Sequence, residues 1–246
     1  MDRCKMTVKE EYLKQATSPV LALVKEIESF SGKEITLHQN SAPVSPTDPN
    51  PEAMSRCVSE SRAEIYYRNT NVDMHGFVHE LLHIRRWWLE GIPQILPAIG
   101  SDDSNVTVTS QIENSLEHLV IVPQEEDFGF EPYEYWNRTH RAIWEKFDAA
   151  TLDDFVIRKH CFLGWLSIKK LVTDPEVRQL AEDKIAAVGL LKEANKFKAK
   201  IDRYANSKER QLSTVVRFLG IPRSEVVLVY FDIRNGRRTE VPVPRH

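Results

Sequence analysis

The chain has 246 residues, of which 41% are hydrophobic and 28% charged, and its formal net charge at pH 7 is −3. These values are ordinary for a globular protein and exclude a chain that is disordered throughout. The charge is uneven: residues 192–246 hold 13 Lys and Arg against 6 Asp and Glu, a balance of +7, and the rest of the chain carries −10. The basic C-terminal quarter indicates a solvated surface or a site for an acidic or nucleic-acid partner.

Cysteine usage and hydropathy bear on the compartment. Cys4, Cys57 and Cys161 are widely spaced and odd in number, which argues against a disulfide framework and fits a reducing environment. The N-terminal segment is charged and lacks the apolar stretch of a secretory signal, and the longest apolar runs are shorter than a membrane span. We therefore expect a soluble, cytoplasmic protein that has no membrane partner.

The N-terminal elements predict a mixture of helix and strand. Residues 18–32 begin with a capping serine followed by proline and end in glycine, which predicts a helix. Residues 34–38 and 63–68 are β-prone and predict two short strands. The second of them, AEIYYR, is either an edge strand along which a peptide substrate aligns or a strand of the core. The four prolines of residues 41–53 predict a loop between the two strands.

The remaining elements are mostly helical. A helix capped by Asp73 and stopped by Gly91 is followed by another from about Val106 to Pro123. An acidic, aromatic loop, EEDFGFEPYE, comes next. Further amphipathic helices are predicted over roughly 133–148, 152–172, 175–191 and, with one or more breaks, 193–218. Two β-prone runs around Asn235-Gly236 predict a C-terminal hairpin.

The motif HELLH, residues 79–83, predicts a catalytic zinc site. Helical residues four apart project from the same face, so His79 and His83 can bind one metal ion at about 2 Å. Glu80 would lie beside the open metal position. There it can take a proton from a zinc-activated water and later give it to the leaving amine. The alternative is an amphipathic helix that carries two histidines by chance.

A zinc hydrolase needs a third protein ligand. A metzincin-type site would have a histidine at position 89, but the residue there is Leu89, which excludes that class. The second helix offers a carboxylate instead, within SQIENSLEHLVIVP. Glu117 is our first choice and Glu113 its rival, and the glutamate that does not bind zinc could orient a ligating histidine. His118 could itself be the ligand, or a donor to the tetrahedral oxyanion.

Three other residues are weaker candidates for the metal site. A thiolate at Cys57 could cap the zinc, although a small buried cysteine is the favoured interpretation. His140 and His160 are more distant ligand candidates, and ordinary helix histidines are favoured for both.

HELLH, followed some thirty residues later by IENSLEHLVIVP, resembles the gluzincin-type cytosolic peptidases of the ImmA/IrrE kind. It is closer still to the CapP-like peptidases found with bacterial anti-phage systems. The resemblance covers about residues 60–125. The ImmA/IrrE pattern has small residues and Phe-Ala after its glutamate, whereas this chain has NSLEHLV, so the choice between Glu113 and Glu117 stays open.

The resemblance implies a zinc-dependent endopeptidase that makes limited regulatory cuts in a protein partner. The implied partner is a helix-turn-helix transcriptional repressor that acts in a stress or anti-phage response. The implied trigger is DNA produced by damage. A non-catalytic, zinc-containing protein that binds DNA or a partner is the alternative.

We accordingly predict an α+β fold in two parts. Residues 1–125 would form a small zincin-like core, which comprises a short sheet, the HExxH helix and the second ligand helix. Residues 126–246 would form a mostly helical region with a basic C-terminal part and a terminal hairpin. Single-stranded DNA could bind this basic part through phosphate contacts, with Phe197 and Tyr204 stacking on bases. The candidate contacts are Lys196, Lys198, Lys200, Arg203, Lys208 and Arg210.

Overall fold

A computed structural model describes residues 7–39, 54–68, 72–102 and 104–245 and has an α+β architecture, which confirms the predicted fold class. The predicted loop over residues 41–53 lies outside the described residues. No helix in the described ranges is both long enough and apolar enough to cross a membrane.

Most of the described chain is helical. The described helices are α1 (Val8–Gln15), α2 (Ser18–Ser31), α3 (Met74–Trp88), α4 (Ser104–Gln124), α5 (Pro132–Lys146), α6 (Asp154–Lys170), α7 (Pro175–Ala187), α8 (Leu191–Arg203) and α9 (Lys208–Leu219). A short 3-10 helix, Glu125–Phe128, follows α4 directly. The described strands are β1 (Ile35–Gln39), β2 (Ser55–Val58), β3 (Ala63–Tyr67), β4 (Gln94–Pro97), β5 (Val226–Asp232) and β6 (Arg237–Pro242). They form two sheets, ordered β1-β3-β2 and β4-β5-β6.

The N-terminal sheet has AEIYYR at its centre. β3 pairs in parallel with β1 and antiparallel with β2, so the edge-strand hypothesis for β3 is wrong. β2 was not predicted, because SRCV is short and mainly polar. Successive strand residues face opposite sides of a sheet. Arg56, which pairs with Ile65, therefore faces the buried side, whereas Cys57, which pairs with Glu64, faces the other.

The observed ends of α2 and α3 lie within three residues of the predicted ones. α2 is preceded by Thr17 as N-cap, one residue before the predicted Ser18, and it ends at Gly32 in the left-handed region (φ 65°), as predicted. Asp73 caps α3 by accepting the Gly76 N–H at 2.9 Å. α3 ends at Trp88, three residues before the predicted glycine stop.

The chain divides into two compact units, and the predicted boundary near residue 125 remains a prediction. The first unit comprises residues 1–92, 124–130 and 230–239, and the second comprises residues 93–123, 131–229 and 240–246. Fully buried side chains of the first unit include Ile27, Ile35, Ile65, Phe77 and Leu81. Those of the second unit include Trp144, Phe162, Phe197 and Leu212.

The C-terminal hairpin confirms the turn prediction. β5 and β6 flank the turn that contains Asn235-Gly236, and Gly236 has a φ of 60°, a conformation that glycine adopts without a steric penalty. β5 also pairs antiparallel with β4, and Gln94 lies opposite Val229. β4 has only four residues and was not predicted from the sequence.

Candidate metal centre

Three histidines lie along one face of α3, because they recur every four residues. His79 and His83 are the predicted ligands, and His75 precedes them by one helical turn. The rings of His79 and His83 meet edge to face, with centroids 5.0 Å apart. His83 is fully buried, whereas the side chain of His79 keeps about 20% of its exposure. The predicted helical presentation of the HELLH histidines is therefore observed.

A buried carboxylate holds two of these histidines. Glu125 is 1% exposed and lies in the 3-10 helix after α4. Its Oε1 lies 2.6 Å from Nδ1 of His79, and its Oε2 lies 2.6 Å from Nε2 of His75. The His75 ring also stacks on Phe130, with centroids 4.7 Å apart. Glu125 was not predicted as a site residue, because it is the first of three consecutive acidic residues and nothing in their order shows which one is buried.

The electrostatics of Glu125 favour its charged form. Burial would by itself raise the pKa of this carboxyl group, but the hydrogen bonds from His75 and His79 outweigh that effect and lower the pKa. A negative charge is thus placed beside the N-terminal half of the histidine face.

The described residues contain one group of side chains close enough together to hold a metal ion, and it consists of His79, His83 and His118. Each offers one ligand atom, and these atoms lie within 4.8 Å of one another. Three imidazoles suit zinc, but they also suit copper, iron and nickel.

α4 presents His118 and its neighbouring glutamates on different faces. The His118 ring packs edge-on against Trp136 of α5, with centroids 4.9 Å apart. Glu117 is fully buried and forms an ion pair with Nζ of Lys208 on α9. The group of side chains that could hold a metal ion therefore includes His118 and not Glu117. The assignment of Glu117 as a ligand remains a prediction.

Glu113, the second candidate glutamate, contacts the same buried lysine. Its Oε1 lies 3.1 Å from Nζ of Lys208, and its Oε2 accepts the backbone N–H of Ile95 at 3.1 Å. Burial raises the pKa of Glu113, and the nearby charge of Lys208 opposes this rise. Lys208 is 6% exposed, so its prediction as a nucleic-acid contact is wrong.

Glu80, the predicted general base, is 4% exposed and hydrogen-bonded to an arginine. Nη1 of Arg56 lies 2.7 Å from Oε2 of Glu80. The Arg56 guanidinium also lies over the ring of Trp87, 4.7 Å from its centroid. Arg56 is a site residue that sequence reasoning missed, because β2 has no recognisable strand pattern.

Cys57 is exposed, so its interpretation as a small buried cysteine is wrong. Its side chain leaves β2 on the face opposite that of Arg56, which contacts Glu80. This direction gives no support to the hypothesis that the thiol caps a metal bound by α3.

On α8, the structure changes the list of candidate nucleic-acid contacts. Phe197 is fully buried against Phe162, with centroids 5.4 Å apart, so the prediction that it stacks on bases is wrong. Lys198 is hydrogen-bonded to Asp202 one turn along the helix. Lys196, Lys200 and Arg203 have no ion-pair or hydrogen-bond partner for their side chains among the described residues.

His140 is buried in the second unit, and His160 of the same unit is half-buried. Neither ring nitrogen of His140 has a hydrogen-bond partner within the described ranges. Burial, with a smaller contribution from His160, lowers the pKa of His140 to about 4. Burial also lowers the pKa of His160 to about 4, and its ring stacks on Phe147. Both lie in helices, α5 and α6, and the lowered pKa values favour the neutral ring at pH 7, which agrees with ordinary helix histidines.

Comparison of the chain with protein-family models, with curated proteins and with solved structures returned no significant match.

We predict that the buried His140 makes the protein less stable in acid. An unfolded histidine has a pKa of about 6.5, so between that value and about pH 4 the unfolded chain binds more protons than the folded one. The contribution of neutral His140 to the free energy of unfolding is therefore fully present above about pH 6.5. Up to about 3 kcal/mol of it is lost as the pH falls to 4. Urea unfolding at pH 7 and pH 4.5 should show a smaller difference for His140→Phe than for wild type. The exposed His38, changed to Gln, is the control, and an unchanged pH dependence in His140→Phe would contradict the prediction.

Proposed function

We propose that the protein is a zinc-dependent endopeptidase that makes limited cuts in a protein partner. The observation that carries this proposal is the clustering of both HELLH histidines with a third histidine, His118, at metal-binding separation. The resemblance to ImmA/IrrE-like and CapP-like peptidases supports the reaction class. His79, His83 and His118 would hold the zinc, and the carboxylate of Glu80 would serve as general acid and base.

Zinc bound by these histidines would supply a Lewis acid that polarises a peptide carbonyl and activates a water molecule. Glu80 follows His79 directly in α3, and its burial restricts the rotamers that its side chain can adopt. Arg56 holds its Oε2, and we assign Oε1 to proton transfer. Glu80 would accept a proton from the attacking water and donate it to the leaving amine.

The resemblance also supports a substrate and a setting. We propose that the partner is a helix-turn-helix repressor whose cleavage switches on a stress or anti-phage response. The cytoplasm is the proposed location, and the exposed thiol of Cys57 is compatible with a reducing compartment.

We predict that Glu80→Gln abolishes cleavage without abolishing zinc binding. The amide cannot take up a proton, and loss of a general base costs about 100-fold or more in rate. The zinc-loaded protein would be incubated with candidate helix-turn-helix repressors, with and without a chelator, and zinc content would be measured in parallel. Glu126→Gln, which changes an exposed residue, is the matched control. Cleavage by Glu80→Gln at the wild-type rate would refute the catalytic role.

A second prediction concerns the third ligand. We expect His118→Ala to weaken zinc binding by more than the 10- to 100-fold that loss of an outer-shell partner typically costs. Glu117→Gln should keep the zinc affinity but lower the free energy of unfolding, because it weakens the buried ion pair with Lys208. Zinc affinity would be measured by competition with a chromophoric chelator. The opposite pattern in the two variants would restore Glu117 as the ligand.

A specific feature of α8 favours nucleic-acid binding as a second candidate function. Lys192, Lys196, Lys200 and Arg203, here called the basic stripe, lie within about 80° of one another around the helix and span about 16 Å along it. No carboxylate pairs with them among the described residues, unlike Lys198. Unpaired cations about 6 Å apart along a helix can follow a line of phosphates. The basic stripe would bind single-stranded DNA, as an activator of the peptidase or as the main partner of a non-catalytic protein.

We predict that neutralising the basic stripe weakens DNA binding and its salt dependence. The triple variant Lys192→Gln, Lys196→Gln, Lys200→Gln should lower the slope of log affinity against log salt by about 2, since each phosphate contact on a single strand contributes about 0.7. Fluorescence anisotropy with a labelled oligonucleotide at several salt concentrations measures this slope. The control replaces three exposed lysines elsewhere, Lys14, Lys25 and Lys146, with Gln. An equal loss of affinity in the control would show that only total charge matters.

A further inference from the structure

The segment that contains Glu125 is placed by its contacts with α3. Residues 124–130 belong to the first compact unit, whereas the chain on both sides of them belongs to the second. Within the segment, Glu125 is 1% exposed, but the two residues that follow it, Glu126 and Asp127, are exposed. Both carboxylate oxygens of Glu125 are used, one by each of two histidines of α3. Of the three carboxylates in the segment, only that of Glu125 contacts the histidine face of α3 among the described contacts.

The contact with Glu125 determines which ring nitrogen of His79 carries the proton. A carboxylate accepts hydrogen bonds, so Nδ1 of His79, 2.6 Å from Oε1, must be the protonated nitrogen in a neutral ring. Nε2 then keeps the lone pair that a metal ion requires. The same hydrogen bond limits rotation of the imidazole about its Cβ–Cγ bond.

We propose that Glu125 is a positioning residue, which sets the tautomer and orientation of His79 for metal binding. This inference rests on the proposed metal site. Carboxylates that bind the second nitrogen of a ligating histidine are a common outer-shell device, and they make the ligand more basic. His75 keeps the carboxylate in place by binding its other oxygen, and His75 is itself held by stacking on Phe130.

A purely structural role for Glu125 would have a different signature. Removal of a contact that only attaches the 3-10 helix to α3 would lower stability, but it would leave the intrinsic metal affinity of the folded protein and the His79 tautomer unchanged. Zinc affinity of the folded protein and the protonation pattern of the His79 ring therefore distinguish the two roles.

The test compares zinc affinity in wild type, Glu125→Gln, His75→Phe and the control Glu126→Gln. Glu125→Gln should bind zinc about 10- to 100-fold more weakly, as expected for loss of an outer-shell partner. His75→Phe keeps a ring against Phe130 but removes one hydrogen bond to Glu125, so we expect a smaller loss. Glu126→Gln should match wild type. Affinities would come from competition with a chromophoric chelator at a temperature where each apoprotein is folded.

The imidazole ¹⁵N spectrum of the metal-free wild-type protein provides a measurement that needs no variant. We expect a proton on Nδ1 of His79 and none on Nε2, and the reverse pattern would overturn the inference even if Glu125→Gln does not fold. Equal zinc affinity in wild type and folded Glu125→Gln would also overturn it while leaving the zinc peptidase proposal intact. If wild type bound no zinc at all, the proposed function itself would fail.

Discussion

Burial of a carboxylate in a protein interior requires partners for both of its oxygens, because an unpaired buried charge is very costly. Glu125 meets this requirement with two imidazoles from successive turns of α3. The requirement fixes where residues 124–130 lie on α3. It also means that the segment cannot shift without breaking a hydrogen bond to His79, so the position of this segment and the orientation of a proposed metal ligand depend on the same two contacts.

A second buried charge cluster explains why α4 carries different side chains on two of its faces. Glu113 and Glu117 are four residues apart and share one face, on which a single ammonium group, that of Lys208, serves both. His118 is about 100° around the helix from Glu117, and its ring packs against Trp136. The carboxylates thus stabilise the packing of α4 with α9 and β4. The residue of α4 in the group that could hold a metal ion is His118.

Amphipathic packing likewise decides which cations of α8 form the basic stripe. Ala194, Phe197 and Ile201 are buried at spacings of three and four residues, so this face packs into the interior of the second unit. Lys198 lies beside that face and pairs with Asp202, while Lys192, Lys196 and Lys200 follow the opposite side. The composition of the C-terminal quarter identified an excess of positive charge, but only the packed helix separates the lysines available to a polyanion from those already neutralised.

Local patterns in the sequence determined the helices, the caps at Asp73 and Gly32, the Asn235-Gly236 hairpin and the alignment of His79 with His83, because each depends on a few neighbouring residues. The partners of the charged groups depend on tertiary structure instead. Arg56 is 24 residues from Glu80, Glu125 is 46 from His79, and Lys208 is 91 from Glu117. Burial makes these pairings necessary, and burial is a property of the packed fold: in the sequence Glu125 is indistinguishable from Glu126, and only the fold removes one of them from water.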